Sequence, residues 1–153
     1  MIITLAITAL IVNFATGRAA DQTPVVAVLC FANQTTLPGI ESDFTHIFQR
    51  ELAAATQGRY LVVDFSKTQA ALTEPGNMQK ALDAGRSAGA DLVVTGAIGS
   101  EAENRLRVSM KLIKVPQGNV VKEARTVLRF DSRDTLLQRW SEAARKMIVW
   151  FAE

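Results

Sequence analysis

The chain has 153 residues, of which 48% are hydrophobic and 21% charged, and its 17 basic and 15 acidic side chains give a net charge of +2. This length corresponds to one domain, and the balance of apolar and charged residues excludes a disordered chain. So small a net charge does not indicate a nucleic-acid or membrane-surface partner. One Cys excludes an internal disulfide and a Cys-based zinc site, and one His excludes two-His metal motifs.

The first 20 residues predict a signal peptide. The run from Ile2 to Ala15 is apolar apart from threonines and Asn13, and it is too short for a transmembrane helix, which needs about 20 residues. Small residues follow it at Gly17, Ala19 and Ala20, so we expect cleavage after Ala19 or Ala20. Because no Lys or Arg precedes the run, a retained membrane anchor and a cytosolic N-terminal strand or helix stay open as alternatives.

Removal of residues 1–20 leaves one predicted domain, residues 21–153, with 16 basic and 15 acidic residues. We expect this mature domain to be a bacterial periplasmic protein, and any membrane contact to come from an uncleaved signal. Cys30 follows Val28 and Leu29, whereas a lipid-modified Cys follows a small residue. We therefore interpret Cys30 as a buried strand residue that behaves as a small hydrophobe.

Three apolar, β-branched segments alternate with two helical patterns. The predicted strands are Val25–Phe31, Tyr60–Phe65 and Asp91–Gly99, each buried in the sheet. A polar loop is expected at residues 32–39. One helix is predicted from Ile40 to Ala55, with Gly58 after its end, and a second from Met78 to Ala88, with Asn77 as its N-cap. This alternation indicates βαβ units and a parallel sheet.

The pattern changes after Gly99. Even positions are apolar from Leu106 to Leu112. From Val120 to Phe130 they are apolar except at Lys122 and Thr126, and the two segments together predict a hairpin with one solvent-exposed face. If the inward residues are even-numbered on both strands, the numbers of directly opposed residues sum to an even number. This requires a loop with an odd number of residues, so we expect a three-residue loop with Gly118 or Asn119 in the left-handed region. The remaining residues predict a C-terminal helix. The fold class is therefore α/β: a β-α-β-α-β parallel core, extended by a hairpin and closed by a helix, with a mixed five-stranded sheet.

A resemblance to a known group rests on a few short motifs. The segment Gly89–Gly96 (GADLVVTG), followed by Asn104–Val108 and by Gly118, resembles the TolB amino-terminal-domain superfamily, which includes CsgG-like and FlgO-like periplasmic domains. Gly58–Asp64 and Asp131–Trp140 are similar to a family of predicted secreted bacterial proteins of unknown function. Because the shared motifs are structural, the resemblance implies a fold and not an activity.

The hairpin carries most of the candidate partner-binding residues. Its outward face is predicted to hold five cations: Arg105, Arg107, Lys111, Arg125 and Arg129. Either this is a solvated sheet face, or it binds an anionic partner such as an acidic protein, a wall polymer or a lipid headgroup. Trp150 lies off the apolar stripe of the last helix and is a further candidate for partner or membrane-interface contact. Nucleic acid is not expected, since export separates the protein from it and no aromatic residue interleaves the charges.

A small ligand is the alternative. In parallel α/β sheets, ligands collect at the carboxyl ends of the strands. The residues predicted there are polar: Asn33, Gln34, Thr35, Ser66, Lys67 and Glu101. They form a candidate rim for ligand binding that carries no catalytic pattern.

No catalytic, cofactor or metal motif stands out. His46 lies near the edge of an apolar helix stripe without a Ser or Cys partner in a motif, and Gly96–Gly99 lacks the dinucleotide-binding pattern and is interpreted as close packing. We therefore predict a non-catalytic periplasmic accessory module, without a cofactor, that binds a protein or envelope partner. The alternative is a periplasmic small-molecule-binding protein that uses the strand rim.

Overall fold

The computed structural model describes residues 22–63 and 77–152, which form six strands and three helices. In chain order these are β1 (Val25–Val28), β2 (Ala32–Gln34), α1 (Ile40–Ala55), β3 (Leu61–Val62), α2 (Met78–Ser87), β4 (Leu92–Ala102), β5 (Arg105–Lys114), β6 (Val120–Arg129) and α3 (Arg133–Ala152). The predicted signal peptide lies outside these residues. Within them, no helix combines the length and apolar character needed to cross a membrane.

One mixed sheet contains all six strands. Its order is β3-β1-β4-β5-β6, and β2 pairs with β4 beyond the end of β1. The pairs β1–β3, β1–β4 and β2–β4 are parallel, whereas β4–β5 and β5–β6 are antiparallel. The α/β class, the parallel core, the added hairpin and the closing helix are thus confirmed, with six strands where five were predicted.

The extra strand comes from a break in the first predicted strand. The chain leaves the sheet after Val28 and rejoins it at Ala32, so the expected loop at residues 32–39 was wrong for its first three residues. Side chains of α1 bind the main chain in this gap. The Thr45 hydroxyl accepts a hydrogen bond from the Phe31 N–H at 2.9 Å, and the Gln49 amide donates to the Val28 carbonyl at 3.2 Å. Buried main-chain groups need such partners, which is why two polar side chains are buried here.

The main core lies between the sheet and the helices α1 and α3. Trp140 of α3 is fully buried at its centre and donates its indole N–H to the Phe44 carbonyl at 2.9 Å. Its ring stacks on Phe44 with centroids 4.9 Å apart and meets Phe31 edge-on at 5.8 Å. The apolar stripes of the two helices therefore converge on one aromatic cluster that also holds Phe48.

Helix α2 packs on the opposite face of the sheet and covers only part of that face. Asn77 caps it as predicted, accepting a hydrogen bond from the Lys80 N–H at 3.1 Å. Gly85 lets the helix lie close to the sheet, because a Cβ there would be 2.4 Å from a methyl of Val93. The smaller core under α2 includes Ala27 and Val115. Since α2 has ten residues, it leaves β5 and β6 largely uncovered on this face.

The predictions for β3 and for the hairpin loop need correction. β3 lies at the sheet edge and has two residues in the described range, and the side chain of Leu61 is 60% exposed, so the prediction of burial was wrong for that residue. The hairpin loop has five residues, Val115 to Asn119, because the register shifts between Leu112 and Ile113. Gly118 has a φ of +72°, in the left-handed region as expected.

A charged contact joins α1 to α3. The Glu51 carboxylate accepts hydrogen bonds from Arg145 at 2.8 Å and from the Ser141 hydroxyl at 2.9 Å. The hydrogen bond from Arg145 lowers the pKa of the Glu51 carboxyl, against the opposing effect of desolvation. A folded-state pKa below the unfolded value means that this contribution to stability is present above the ordinary value of 4.5 and is lost as the pH falls through the folded value.

We expect Glu51→Gln to flatten the acid dependence of stability. The free energy of unfolding of the wild type should fall as the pH is lowered below the ordinary value of 4.5, and the variant should lose less, because it has no carboxylate to protonate. Denaturant titrations at a series of pH values measure this. Arg145→Gln, which removes the main donor to Glu51, should flatten the curve as well. An unchanged slope in both variants would contradict the assignment.

Candidate interaction surface

The outward side chains of the hairpin share one open face of the sheet. The register pairs Arg105 with Arg129, Arg107 with Val127, Ser109 with Arg125, and Lys111 with Glu123. Residues opposite each other in an antiparallel pair point to the same side. The five cations Arg105, Arg107, Lys111, Arg125 and Arg129 therefore lie together on the face that α2 leaves uncovered. We call this set the basic hairpin face.

Only part of this charge is neutralised. Arg107 lies 3.3 Å from a Glu101 carboxylate oxygen, and Lys111 lies 4.0 Å from Glu123. The other three arginines, Arg105, Arg125 and Arg129, form no ion pair with any residue that the structure describes.

Arg105 and Arg129 are also direct cross-strand neighbours. Like charges in that position are destabilising. The basic hairpin face is therefore an electropositive surface, and part of its charge opposes folding.

Trp150 lies beside the same hairpin. Its side chain is 43% exposed, off the core stripe as its spacing indicated. Lys122 donates to the Trp150 carbonyl at 2.6 Å, and its ammonium lies 5.4 Å from the centre of the indole ring, a cation–π distance. Lys122 was not predicted at this surface, because the even positions of β6 were expected to point inward. A charged residue at a position that is expected to be inward could have identified it.

An open groove of about 440 Å³ runs between β6 and α3. Arg125 and Arg129 line it from the strand, together with the floor residue Leu128. From the helix it is lined by a stripe with helical spacing: Arg139, Glu142, Lys146 and Trp150. We call this the β6–α3 groove. It brings together three of the predicted partner-binding residues and adds Arg139 and Lys146, which were not predicted to take part.

The described strands β2 and β3, which precede most of the predicted ligand rim, pair at different heights in the sheet. Val62 of β3 and Leu92 of β4 both pair with Val26, whereas Gln34 pairs with Gly99. Seven residues of β4 separate these two rows, roughly 23 Å along the strand. The ends of β3 and β2 therefore lie at different heights in the sheet.

Asn33 and Thr35 form hydrogen bonds within their own loop, and Glu101 pairs with a residue of the hairpin. The Asn33 amide donates to the Leu37 carbonyl and to Glu41, both at 2.8 Å, and its oxygen accepts from the Thr35 N–H and hydroxyl. Gln34 is exposed, and Glu101 pairs with Arg107 on the hairpin. Ser66 and Lys67 lie outside the described residues. Ligand binding at this rim stays a prediction.

A cleft of about 270 Å³ lies between the start of α2 and the open face of the sheet. Thr95 and Ser109 contribute hydroxyls to it, Ala97 and Ile113 contribute apolar surface, and Lys111 reaches it from β5. None of the predicted rim residues lines it.

The residues with nucleophilic or metal-binding chemistry are dispersed. Cys30 is buried, and burial raises the pKa of its thiol. His46 is exposed on α1. Gly96 packs against Phe31, since a Cβ there would be 3.0 Å from the ring, which agrees with its interpretation as a close-packing glycine. Among the described residues, no three metal-binding side chains of the His, Cys, Asp or Glu type come together.

Comparisons with solved structures identify several proteins of the same fold. PelC from Paraburkholderia phytofirmans, described as a dodecamer, has a TM-score of 0.61 and 24% identity over 82% of this chain and 85% of its own. The lipoprotein GNA1162 from Neisseria meningitidis has a TM-score of 0.57 and 14% identity over 82% and 96% of the two chains. The LpoB C-terminal domain from Escherichia coli has a TM-score of 0.53 and 21% identity over 70% and 83%.

The sequence comparison is more specific about family. No curated protein sequence matches the chain significantly. A profile of the TolB amino-terminal domain matches residues 15–121, well over half of the chain. The match ends at the start of β6, so most of the β6–α3 groove lies beyond it. The predicted resemblance is confirmed by this match: the chain belongs to the TolB amino-terminal domain family.

Proposed function

We propose that this chain is a non-catalytic accessory domain of the bacterial cell envelope, which works in the periplasm and binds an acidic protein partner through the basic hairpin face. The observation that carries the proposal is the set of three arginines without an ion pair among the described residues, two of which are directly opposed across the hairpin. A charge arrangement that costs stability is expected where an anionic partner compensates for it.

The envelope location rests on two supports. The first 20 residues have the length and small-residue ending of a signal peptide. One protein of the same fold, GNA1162, is described as a lipoprotein. A periplasmic protein does not meet nucleic acid, so an acidic protein is the anionic partner that fits the surface best.

A small-molecule function is less well supported, because the cleft beside α2 is small and open. Ligand pockets typically have volumes of about 300–1,000 Å³ and enclose most of the ligand. The cleft beside α2 measures about 270 Å³ and opens onto the sheet face. The basic hairpin face carries three arginines without an ion pair among the described residues, and we therefore prefer partner binding there.

Charge reversal tests the proposal. The purified protein is immobilised, and periplasmic extract of the source bacterium is passed over it in low salt. In the variant Arg105→Glu, Arg125→Glu, Arg129→Glu, recovery of the bound acidic protein should fall by at least about tenfold, because like-charge contacts replace attractive ones. Added salt should lower recovery by the wild type.

A matched control separates this surface from overall charge. Arg59, Lys80 and Arg86 are exposed cations that do not belong to β5 or β6, and their reversal to Glu changes the net charge by the same amount. This control should retain the partner. Equal recovery by both triple variants and the wild type would refute binding through the basic hairpin face.

A further inference from the structure

The outer edge of β6 is an exposed strand edge. β6 has ten residues and is the last strand in the sheet order, so one side of it pairs with β5 and the other has no strand beside it in the described part of the chain. A long edge strand offers a row of main-chain donors and acceptors to another chain.

The hydrogen bonds between β5 and β6 identify which main-chain groups of β6 point away from β5. The Phe130 N–H donates to the Asn104 carbonyl at 3.1 Å, in the same register as the pairs further along the hairpin. In an antiparallel pair, alternate residues direct both main-chain groups to the same neighbour. Even-numbered residues of β6 therefore bind β5. The outward groups are those of Glu123, Arg125, Val127 and Arg129.

Charge surrounds this edge on both sides. Arg125 and Arg129 project from the open sheet face, and Arg139 and Lys146 line the groove from α3, against the single carboxylate of Glu142. Val127 is 48% exposed between the two strand arginines. A strand added here would have cations near both of its faces, so acidic side chains complement it.

We infer that the outer edge of β6 is a strand-addition site for an extended acidic segment of a partner protein. The inference rests on the proposed function and specifies how that partner binds. About seven residues of the segment would run beside Glu123 to Arg129, with main-chain hydrogen bonds supplying affinity and the flanking cations supplying selectivity. A second copy of this chain fits less well, because its own groove would bring the same excess of cations.

Proline at an outward position isolates the main-chain contribution. Val127→Pro removes an outward N–H without removing a bond to β5 or any charge, and edge strands tolerate proline. The probe is a fluorescent nine-residue peptide of alternating Glu and Thr, titrated against the purified protein in low salt. Val127→Pro should weaken binding by about tenfold or more, since it removes one hydrogen bond and blocks the approach of the added strand. Val127→Thr, which keeps the N–H, should bind within about twofold of the wild type.

Amide hydrogen exchange measured by NMR gives an independent readout. Saturating peptide should slow exchange at the N–H groups of Glu123, Arg125, Val127 and Arg129, while the even-numbered amides, already bonded to β5, change little. The spectrum of the proline variant also checks that it is folded.

The outcomes separate this inference from the proposed function. Loss of peptide binding in the arginine triple variant but not in Val127→Pro would overturn strand addition and leave the basic hairpin face as the binding surface. Binding unaffected by either change would overturn both. Absence of wild-type binding at millimolar peptide, or the same protection without peptide in a sample that sediments as a dimer, would overturn the acidic-segment assignment.

Discussion

Replacing Trp140 by alanine will lower the free energy of unfolding by about 3–5 kcal/mol, the range for removal of a large aromatic side chain from a core. Trp140 has no exposed surface and contacts rings from α1 and from the segment between β1 and β2. Its loss would leave a cavity where the two helices meet the sheet. Urea denaturation followed by circular dichroism measures the change.

Trp140→Phe is the matched control. It keeps an aromatic ring in the cluster but loses the indole N–H that donates to the Phe44 carbonyl. Because that change removes one hydrogen bond and part of a ring, the loss should be clearly smaller than for alanine. If alanine and phenylalanine had equal, small effects, the central position of Trp140 would be refuted.

Replacing Thr45 by valine will cost about 1–3 kcal/mol, although the two side chains have nearly the same shape. The Thr45 hydroxyl accepts the Phe31 N–H and donates to the Glu41 carbonyl at 2.6 Å. Valine would leave the Phe31 N–H buried without a partner, and an unpaired buried donor carries its full desolvation cost. Thermal and denaturant unfolding measure the difference.

Thr45→Ser keeps the hydroxyl and removes one methyl group, so it should cost about 0.8 kcal/mol. The order of stability should be wild type, then serine, then valine. A valine variant as stable as the serine variant would show that the hydroxyl does not bind the main chain between β1 and β2.

Elements whose residues follow a regular period were predictable. The apolar stripes of α1 and α3, the cap of α2 at Asn77 and the alternation along β5 appear as predicted, whereas in β6 the even residue Val120 is exposed. In each case the side-chain pattern follows from local geometry, which repeats every 3.6 residues in a helix and every two in a strand.

The break in the first strand was not predictable in this way. Val25–Phe31 is apolar throughout, so nothing in its own pattern shows where it leaves the sheet. The break depends on Thr45 and Gln49, which lie one helix further along the chain and reach back to the main chain. A contact between distant residues leaves no period in either segment.

The candidate surface was likewise predictable only in part. The five cations of the basic hairpin face could be assigned to one side of two strands, because that assignment needs only the alternation. The β6–α3 groove could not, because it forms where the last strand and the last helix lie side by side in space. The free outer edge of β6 depends on the strand order of the whole sheet.

By itself, the sequence determined the fold class, the family resemblance and the charge of the hairpin face, because these depend on residue periods, short motifs and side-chain type. Only the tertiary structure decided which arginines form ion pairs, which residues of α3 join them, and which main-chain groups of β6 point outward. These properties depend on distances between elements, and packing decides those distances.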